Sequence, residues 1–196
     1  TLDLLRRHDL GEHLFPRVAG RSSRQIELDH PAASASCRVQ DVGARFYTYI
    51  TTLGYCMEEA ARSAIPIYVL DRPNPVGGET VEGEVLAESI RHFTAYYSIP
   101  ARHGLTVGEL ARWYNATSPW RGFMQVVPME KWTRSMHWTE TGLPFVPPSP
   151  NIRNPTAALL YGGLGAFECT NVSVGGGTSQ PFEVFGAPWM NGEEMA

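Results

Sequence analysis

The stretch from Ile65 to Gly78 reads Ile-Pro-Ile-Tyr-Val-Leu-Asp-Arg-Pro-Asn-Pro-Val-Gly-Gly. Its first six residues are apolar and too few for an ordinary helix, which predicts a short buried strand. A carboxylate, a guanidinium and an amide follow at Asp71, Arg72 and Asn74, on a loop stiffened by two prolines. In open α/β sheets, ligand sites lie at the carboxyl ends of strands. A structural turn, in which Asp71 caps local N–H groups, explains the same residues equally well.

The segments around this stretch alternate between helix and strand patterns. Apolar side chains recur at helical spacing before it, and Thr106 and Glu109 form a capping-box pattern after it. Asn154-Pro155 is a typical helix start. The predicted elements are helices over 47–64, 106–115 and 154–161, and strands over 65–70, 123–127 and 164–168. This alternation predicts an α/β fold with a largely parallel sheet flanked by helices.

The bulk composition limits the classes of function. The chain has 196 residues, a formal net charge of −4 and a pI near 5.9, which argues against a nucleic-acid partner. No apolar run is long enough to span a bilayer. Residues 1–38 lack a sustained period, so we expect a divergent N-terminal segment there and a single domain over 39–196. Walker, GxSxG, HExxH and GxGxxG motifs are absent, which weighs against nucleotide, serine-hydrolase and zinc-protease chemistry.

Acidic side chains stand near the ends of two predicted strands, at Asp71 and Glu168, and before the first predicted helix, at Asp41. Asp41, Asp71 and Glu168 would share one edge of a parallel sheet and could meet in one cleft. Two carboxyl groups across a cleft are the usual equipment of glycoside hydrolases. Each acid taken alone is more often a cap or an ion-pair partner, and only their convergence would point to catalysis.

Arg102 and His103 stand just before the helix predicted to start at Thr106. They suit an anion or hydroxyl clamp beside a helix N-terminus, where backbone N–H groups already favour acceptors. An ordinary loop with a solvated arginine and a hydrogen-bonded histidine stays open as an alternative.

Several long motifs resemble the exo-acting β-N-acetylmuramidases (NamZ-like proteins). They are Gln40-Asp-Val-Gly-Ala-Arg-Phe-Tyr-Thr-Tyr49, the Asp71–Gly78 loop, Ile99–Glu109, Glu140–Pro144, Val146–Asn151 and Pro181–Trp189. The resemblance implies a Rossmann-like domain that removes terminal N-acetylmuramic acid from peptidoglycan fragments without a nucleotide or metal cofactor. It also implies a smaller second domain, with the active site in the cleft between the two domains. The resemblance implies a periplasmic or extracellular location, with a cytoplasmic location as the alternative.

The chain departs from the family pattern at points that matter for catalysis. The family carries a catalytic-looking Pro-Glu-His-Gly motif upstream, whereas this chain has only Gly11-Glu-His-Leu14, so no catalytic residue is assigned. Cys169, Val174 and Gly176 replace a glycine, a glutamate and an arginine of the family pattern. We therefore expect a truncated or divergent member without the second family domain. The alternative is a catalytically inactive fragment that binds a muropeptide or is purely structural.

The predicted saccharide site combines these motifs. In our hypothesis, Asp71 and Glu168 orient sugar hydroxyls, Arg102 and His103 hold an anionic or carbonyl group, and Asp41 pairs with Arg45. The predicted binding residues are Asp41, Arg45, Asp71, Arg72, Asn74, Arg102, His103, Asn151, Glu168 and Asn171. The expected partner is a peptidoglycan-derived saccharide, and the sequence does not determine an oligomeric state.

Overall fold

The computed structural model describes residues 34–195, so most of the predicted N-terminal segment and Gly11-Glu-His-Leu14 lie outside the described residues. The regular elements are β1 (Ala35–Cys37), α1 (Tyr49–Arg62), β2 (Ile67–Leu70), α2 (Val107–Thr117), β3 (Met124–Val127), α3 (Pro155–Leu164) and α4 (Gly192–Met195). Short 3-10 helices span Glu88–Ile90, Trp138–Thr141 and Gly165–Cys169.

The sheet is parallel, with strand order β1-β2-β3. Val69 is its centre, since it pairs with Cys37 on one side and Val126 on the other. β2 is apolar along its whole length, as expected of a central strand that is covered on both faces. Because α1 links β1 to β2 and α2 links β2 to β3, the chain has the alternating crossovers of an α/β domain, which confirms the predicted fold class.

The helices begin and end close to the predicted positions. At the start of α2, Thr106 Oγ1 accepts from Glu109 N and Glu109 Oε2 accepts from Thr106 N, so the predicted capping box is confirmed. The side chain of Asn154 caps α3. On α1, Ile50 and Leu53 are fully buried against the sheet. Helix caps and apolar faces were therefore readable from the sequence.

The strand predicted over 164–168 is wrong. α3 continues to Leu164, and a 3-10 helix follows over Gly165–Cys169. The apolar run Leu-Gly-Ala-Phe is short, and such runs do not distinguish a strand from a helix by periodicity alone. Phe167 is exposed there, and no described strand lies beside this segment.

A second apolar cluster lies away from the sheet and packs on the segment after β1. Tyr161 of α3 is its centre, with ring centroids 5.8 Å from Tyr47 and 4.8 Å from Phe182. Val42 and Ala44 belong to the same cluster. The segment after β1 therefore joins the sheet to the region that follows β3.

Candidate functional site

Polar groups that follow β1 and β2 meet at the carboxyl end of the sheet. Gln40 Nε2 donates to the carbonyl of Pro73 at 3.0 Å, and Arg72 Nε donates to Gln40 Oε1 at 2.6 Å. The two loops are thus cross-linked through one amide side chain. This is the place where open α/β sheets hold ligands.

Gly43 and Asn74 form the closest contact between the two loops. Gly43 has φ +81°, and a Cβ there would lie 2.3 Å from Val76 Cγ2 and 2.6 Å from Asn74 Oδ1. Asn74 is buried, its Nδ2 donates to the carbonyl of Leu105 at 3.0 Å, and its Oδ1 accepts from Val76 N at 3.1 Å. Asn74 therefore fixes the backbone at Val76 and Leu105.

Asp41 and His103 form a buried pair, each with only 3% of its surface exposed. Asp41 Oδ2 accepts from Gly43 N at 2.7 Å and lies 3.1 Å from His103 Nε2. The N–H of Leu105 donates to His103 Nδ1 at 3.1 Å, which assigns the ring proton to Nε2, facing the carboxylate. The pair joins the loop after β1 to the entry of α2.

The carboxylate of Asp71 faces the N-terminus of α2. Its Oδ1 accepts from Gly108 N at 2.8 Å and from Arg72 N at 2.9 Å, and its Oδ2 accepts from Thr106 Oγ1 at 3.0 Å. A negative charge is stabilised at a helix N-terminus by the free N–H groups there. Asp71 therefore anchors α2 to β2.

Arg45 and Arg102 also bind protein groups. Arg45 donates to the carbonyls of Glu84 and Ile99, and burial lowers its pKa. Arg102 contacts Glu82 Oε2 at 2.8 Å and donates to the carbonyl of Val76 at 2.6 Å. The predicted pairing of Asp41 with Arg45 is wrong, because Arg45 is turned toward these carbonyls while Asp41 faces His103.

Glu168, Asn151 and Asn171 lie outside this cross-linked loop pair, and all three are exposed. Glu168 stands on a 3-10 helix, and partial burial raises the pKa of its carboxyl group. Burial raises the pKa of Tyr161, and the negative charges of Glu168 and Asp41 raise it further. Glu168 lies on this 3-10 helix and not at the end of a strand, in contrast to the prediction.

A cavity of about 500 Å³ opens beside the cross-linked loops. It lies between the segments after β1 and β2, the start of α1 and a wall of apolar residues. Its lining residues are Arg38, Val39, Gln40, Thr48, Tyr49, Thr52, Arg72, Val146, Pro147 and Pro148. This volume suits a single small ligand, and none of these lining residues is acidic.

Only one of the predicted binding residues, Arg72, lines this cavity. Sequence reasoning missed Arg38, which fell in the segment treated as divergent, and it quoted Gln40 without assigning it to the site. Position gave no usable signal, because the strand that ends at Cys37, shortly before both residues, was not predicted from the sequence. Thr48 and Thr52 gave no signal beyond their place on a predicted helix.

A parallel sheet with flanking helices and a cavity at its carboxyl edge defines a domain of the α/β class. Residues 36–156 match the family model of the N-terminal domain of the exo-β-N-acetylmuramidase NamZ, and residues 159–196 match the model of its C-terminal domain. The chain belongs to the NamZ family, which confirms the resemblance seen in its motifs. The division of the chain into 1–38 and 39–196 stays a prediction.

Relatives of the chain are substantially longer than the part they share with it. The peptidoglycan β-N-acetylmuramidase NamZ of Bacillus subtilis strain 168 is 46% identical over 157 residues, which are 80% of this chain and 38% of that protein. Two crystal structures of DUF1343 family proteins from Bacteroides fragilis are similar, with TM-scores of 0.79 and 0.73 and identities of 39% and 38%. These matches cover 82% and 80% of this chain but 43% and 44% of those proteins.

Proposed function

We propose that this chain acts on peptidoglycan-derived saccharides as an exo-β-N-acetylmuramidase-like glycoside hydrolase that releases terminal N-acetylmuramic acid. The proposal rests on family membership and on 46% identity to a protein named as a peptidoglycan β-N-acetylmuramidase. The structural observation that carries it is the cavity at the carboxyl ends of β1 and β2, which has the size and lining that a sugar requires.

The cavity lining offers the two kinds of contact that a sugar makes. The hydroxyl of Thr48 can bind a ring hydroxyl, while Gln40 Oε1 and Thr52 Oγ1, which already bind protein groups, keep acceptor capacity for a further one. Tyr49 and the segment 146–148 supply apolar faces for the C–H groups of the ring. Tyr49 Oη donates to the carbonyl of Pro148 at 2.7 Å, which fixes this wall against α1.

Hydrolysis of a glycosidic bond ordinarily needs two carboxyl groups near the scissile bond. The cavity-lining residues between 34 and 195 include no acid, while Asp71 is engaged at the α2 terminus. These residues therefore bind and orient the sugar in our proposal, and none of them is assigned as the proton donor. The same observation favours a second candidate, a domain that binds a muropeptide without cleaving it.

Turnover of an aryl β-N-acetylmuraminide by the purified chain tests the proposal, with the matching aryl N-acetylglucosaminide as the substrate control. We expect chromophore release from the muraminide only. If a folded protein releases no chromophore but binds N-acetylmuramic acid in calorimetry, the binding candidate replaces the hydrolase. If neither turnover nor binding is observed at millimolar sugar, both candidates are excluded.

A further inference from the structure

We propose that Arg38 and Arg72 form an anion subsite that binds the carboxylate of an acidic amino sugar, the lactyl carboxylate of N-acetylmuramic acid. This inference rests on the proposed function and adds the chemistry by which the site would select its sugar. It also relocates the anion-binding role that the sequence assigned to Arg102 and His103.

The arginines around the cleft fall into two groups by the partners they have. Arg45, Arg102 and Arg134 are committed to carbonyl or carboxylate oxygens of the protein itself. Arg72 uses its Nε for Gln40, and its terminal nitrogens have no hydrogen-bond partner among residues 34–195. The side chain of Arg38 also makes no hydrogen bond or ion pair within that range. Both residues line the cavity, so their guanidinium donors without a partner among residues 34–195 are available to a ligand bound there.

The two guanidinium groups are close enough to repel each other. Partial burial lowers the pKa of Arg72, and the positive charge of Arg38 lowers it further. No acidic lining residue offsets this repulsion. A carboxylate placed between the two groups would remove the repulsion and accept charge-assisted hydrogen bonds from both.

The start of α1 adds a third positive contribution to the same cavity. α1 has 14 residues, its N-cap Thr48 makes no side-chain cap bond, and its first turn contains no acidic residue. By contrast, α2 has both a capping box and Asp71 at its N-terminus. Because Thr48 and Tyr49 line the cavity, the free N–H groups of α1 lie beside the arginine pair and favour an anion there.

The arrangement predicts which sugar is preferred. The ring hydroxyls of any N-acetylated hexosamine can hydrogen-bond to Gln40 and the two threonines. Only a sugar with a carboxylate can also form ion pairs with the arginines. N-acetylmuramic acid and N-acetylglucosamine differ by the lactyl ether alone. The comparison between them therefore isolates the contribution of the anion subsite.

Isothermal titration calorimetry of the full chain at low salt tests the subsite. The ligands are N-acetylmuramic acid, N-acetylglucosamine, D-lactate and inorganic phosphate, and the variants are R38Q, R72Q and the control R112Q, which alters an exposed arginine of α2. We expect each cavity variant to lower the affinity for N-acetylmuramic acid about tenfold, because one charge-assisted contact is lost. The affinity for N-acetylglucosamine should be unchanged. R112Q should match the wild type.

Circular dichroism shows whether each variant folds. Because Arg38 is exposed, we expect R38Q to fold and to test the subsite even if R72Q does not fold. Equal affinities of the wild type for the two sugars, or an affinity ratio unchanged in R38Q, would overturn the subsite. Binding of lactate or phosphate without either sugar would overturn the saccharide assignment. If the wild-type chain does not cleave the aryl muraminide but still binds N-acetylmuramic acid more tightly than N-acetylglucosamine, the hydrolase proposal is excluded. The anion subsite is then retained.

Discussion

Two neighbouring regions at the carboxyl edge of the sheet carry similar residue types but are built differently. In the first, which we call the closed joint, Asp41, Gly43, Asp71, Asn74 and His103 contact one another or nearby backbone. In the second, the cavity beside the cross-linked loops, which we call the open cavity, Arg38 and Arg72 have guanidinium donors without a partner among residues 34–195. The sequence predicted sugar-binding residues in both regions, with Asp71 in the first and Arg72 in the second, and their partners in the fold separate the two regions.

The difference follows from burial. Buried polar groups are usually hydrogen-bonded within the protein, and both ends of the Asn74 amide already bind backbone groups before any ligand arrives. A half-buried arginine such as Arg72 keeps donors for a ligand. The comparison therefore predicts that substitutions in the closed joint change stability, while substitutions in the open cavity change affinity.

The largest effect is expected from Gly43→Ala in the closed joint. The new Cβ would meet Val76 Cγ2 at 2.3 Å in a backbone with φ +81°. We expect a loss of about 3 kcal/mol or more in the free energy of unfolding, measured by urea denaturation.

Gly142→Ala is the matched control for Gly43→Ala. Gly142 also has a positive φ, +68°, but a Cβ there has no neighbour within 4 Å. This variant should lose about 1 kcal/mol, from backbone conformation alone. Equal losses in the two variants would contradict the close packing of the loops after β1 and β2.

Asp71→Ala should produce the next largest loss. It removes the acceptor of Gly108 N and of Thr106 Oγ1 and the negative charge at the α2 N-terminus. We expect about 2 kcal/mol of destabilisation in urea, with the exposed Glu88→Ala as control. A variant of unchanged stability with strongly weakened sugar binding would place Asp71 in the ligand site instead.

Arg102→Gln tests the difference between arginines that bind protein groups and arginines that line the open cavity. It breaks the contacts with Glu82 and the Val76 carbonyl, so we expect about 1 kcal/mol of destabilisation. Affinity for N-acetylmuramic acid should stay within twofold of the wild type, in contrast to R72Q. Calorimetry on both variants measures this, and a tenfold weaker affinity of R102Q would restore the anion role first assigned to Arg102.

The smallest effect is expected from Glu168→Gln, and it should depend on pH. Because partial burial raises the carboxyl pKa in the folded protein, the folded state binds this proton more tightly than the unfolded state. Ionisation of Glu168 therefore costs stability as the pH rises through its pKa. Thermal unfolding should show a slightly higher Tm for the variant at pH 7 and no difference near pH 3, and a lower Tm of the variant at pH 7 would contradict this.

Much of the fold was predictable because it depends on local signals. The apolar run before Asp71, the capping box at Thr106 and the Asn154-Pro155 start each placed an element within a few residues. The segment over 164–168 was mistaken for a strand, since whether a short apolar run continues a helix depends on what packs beside it.

The site was less predictable because it depends on pairing. The sequence placed Asn74 after a strand and His103 beside a helix N-terminus, but it did not show that both would bind the backbone near Leu105 in the fold. Arg38 was missed because nothing local distinguishes it from a solvated arginine. Its role emerges only from the cavity it shares with Arg72.

The most direct test of the distinction between closed joint and open cavity is a titration of the ¹⁵N-labelled chain with N-acetylmuramic acid, followed by amide chemical shifts. We expect the largest changes at the amides of Arg38, Gln40, Arg72 and the first turn of α1, with small changes at His103 and Asn74. Changes centred on Glu168 and Asn171, with the α1 amides unmoved, would contradict it.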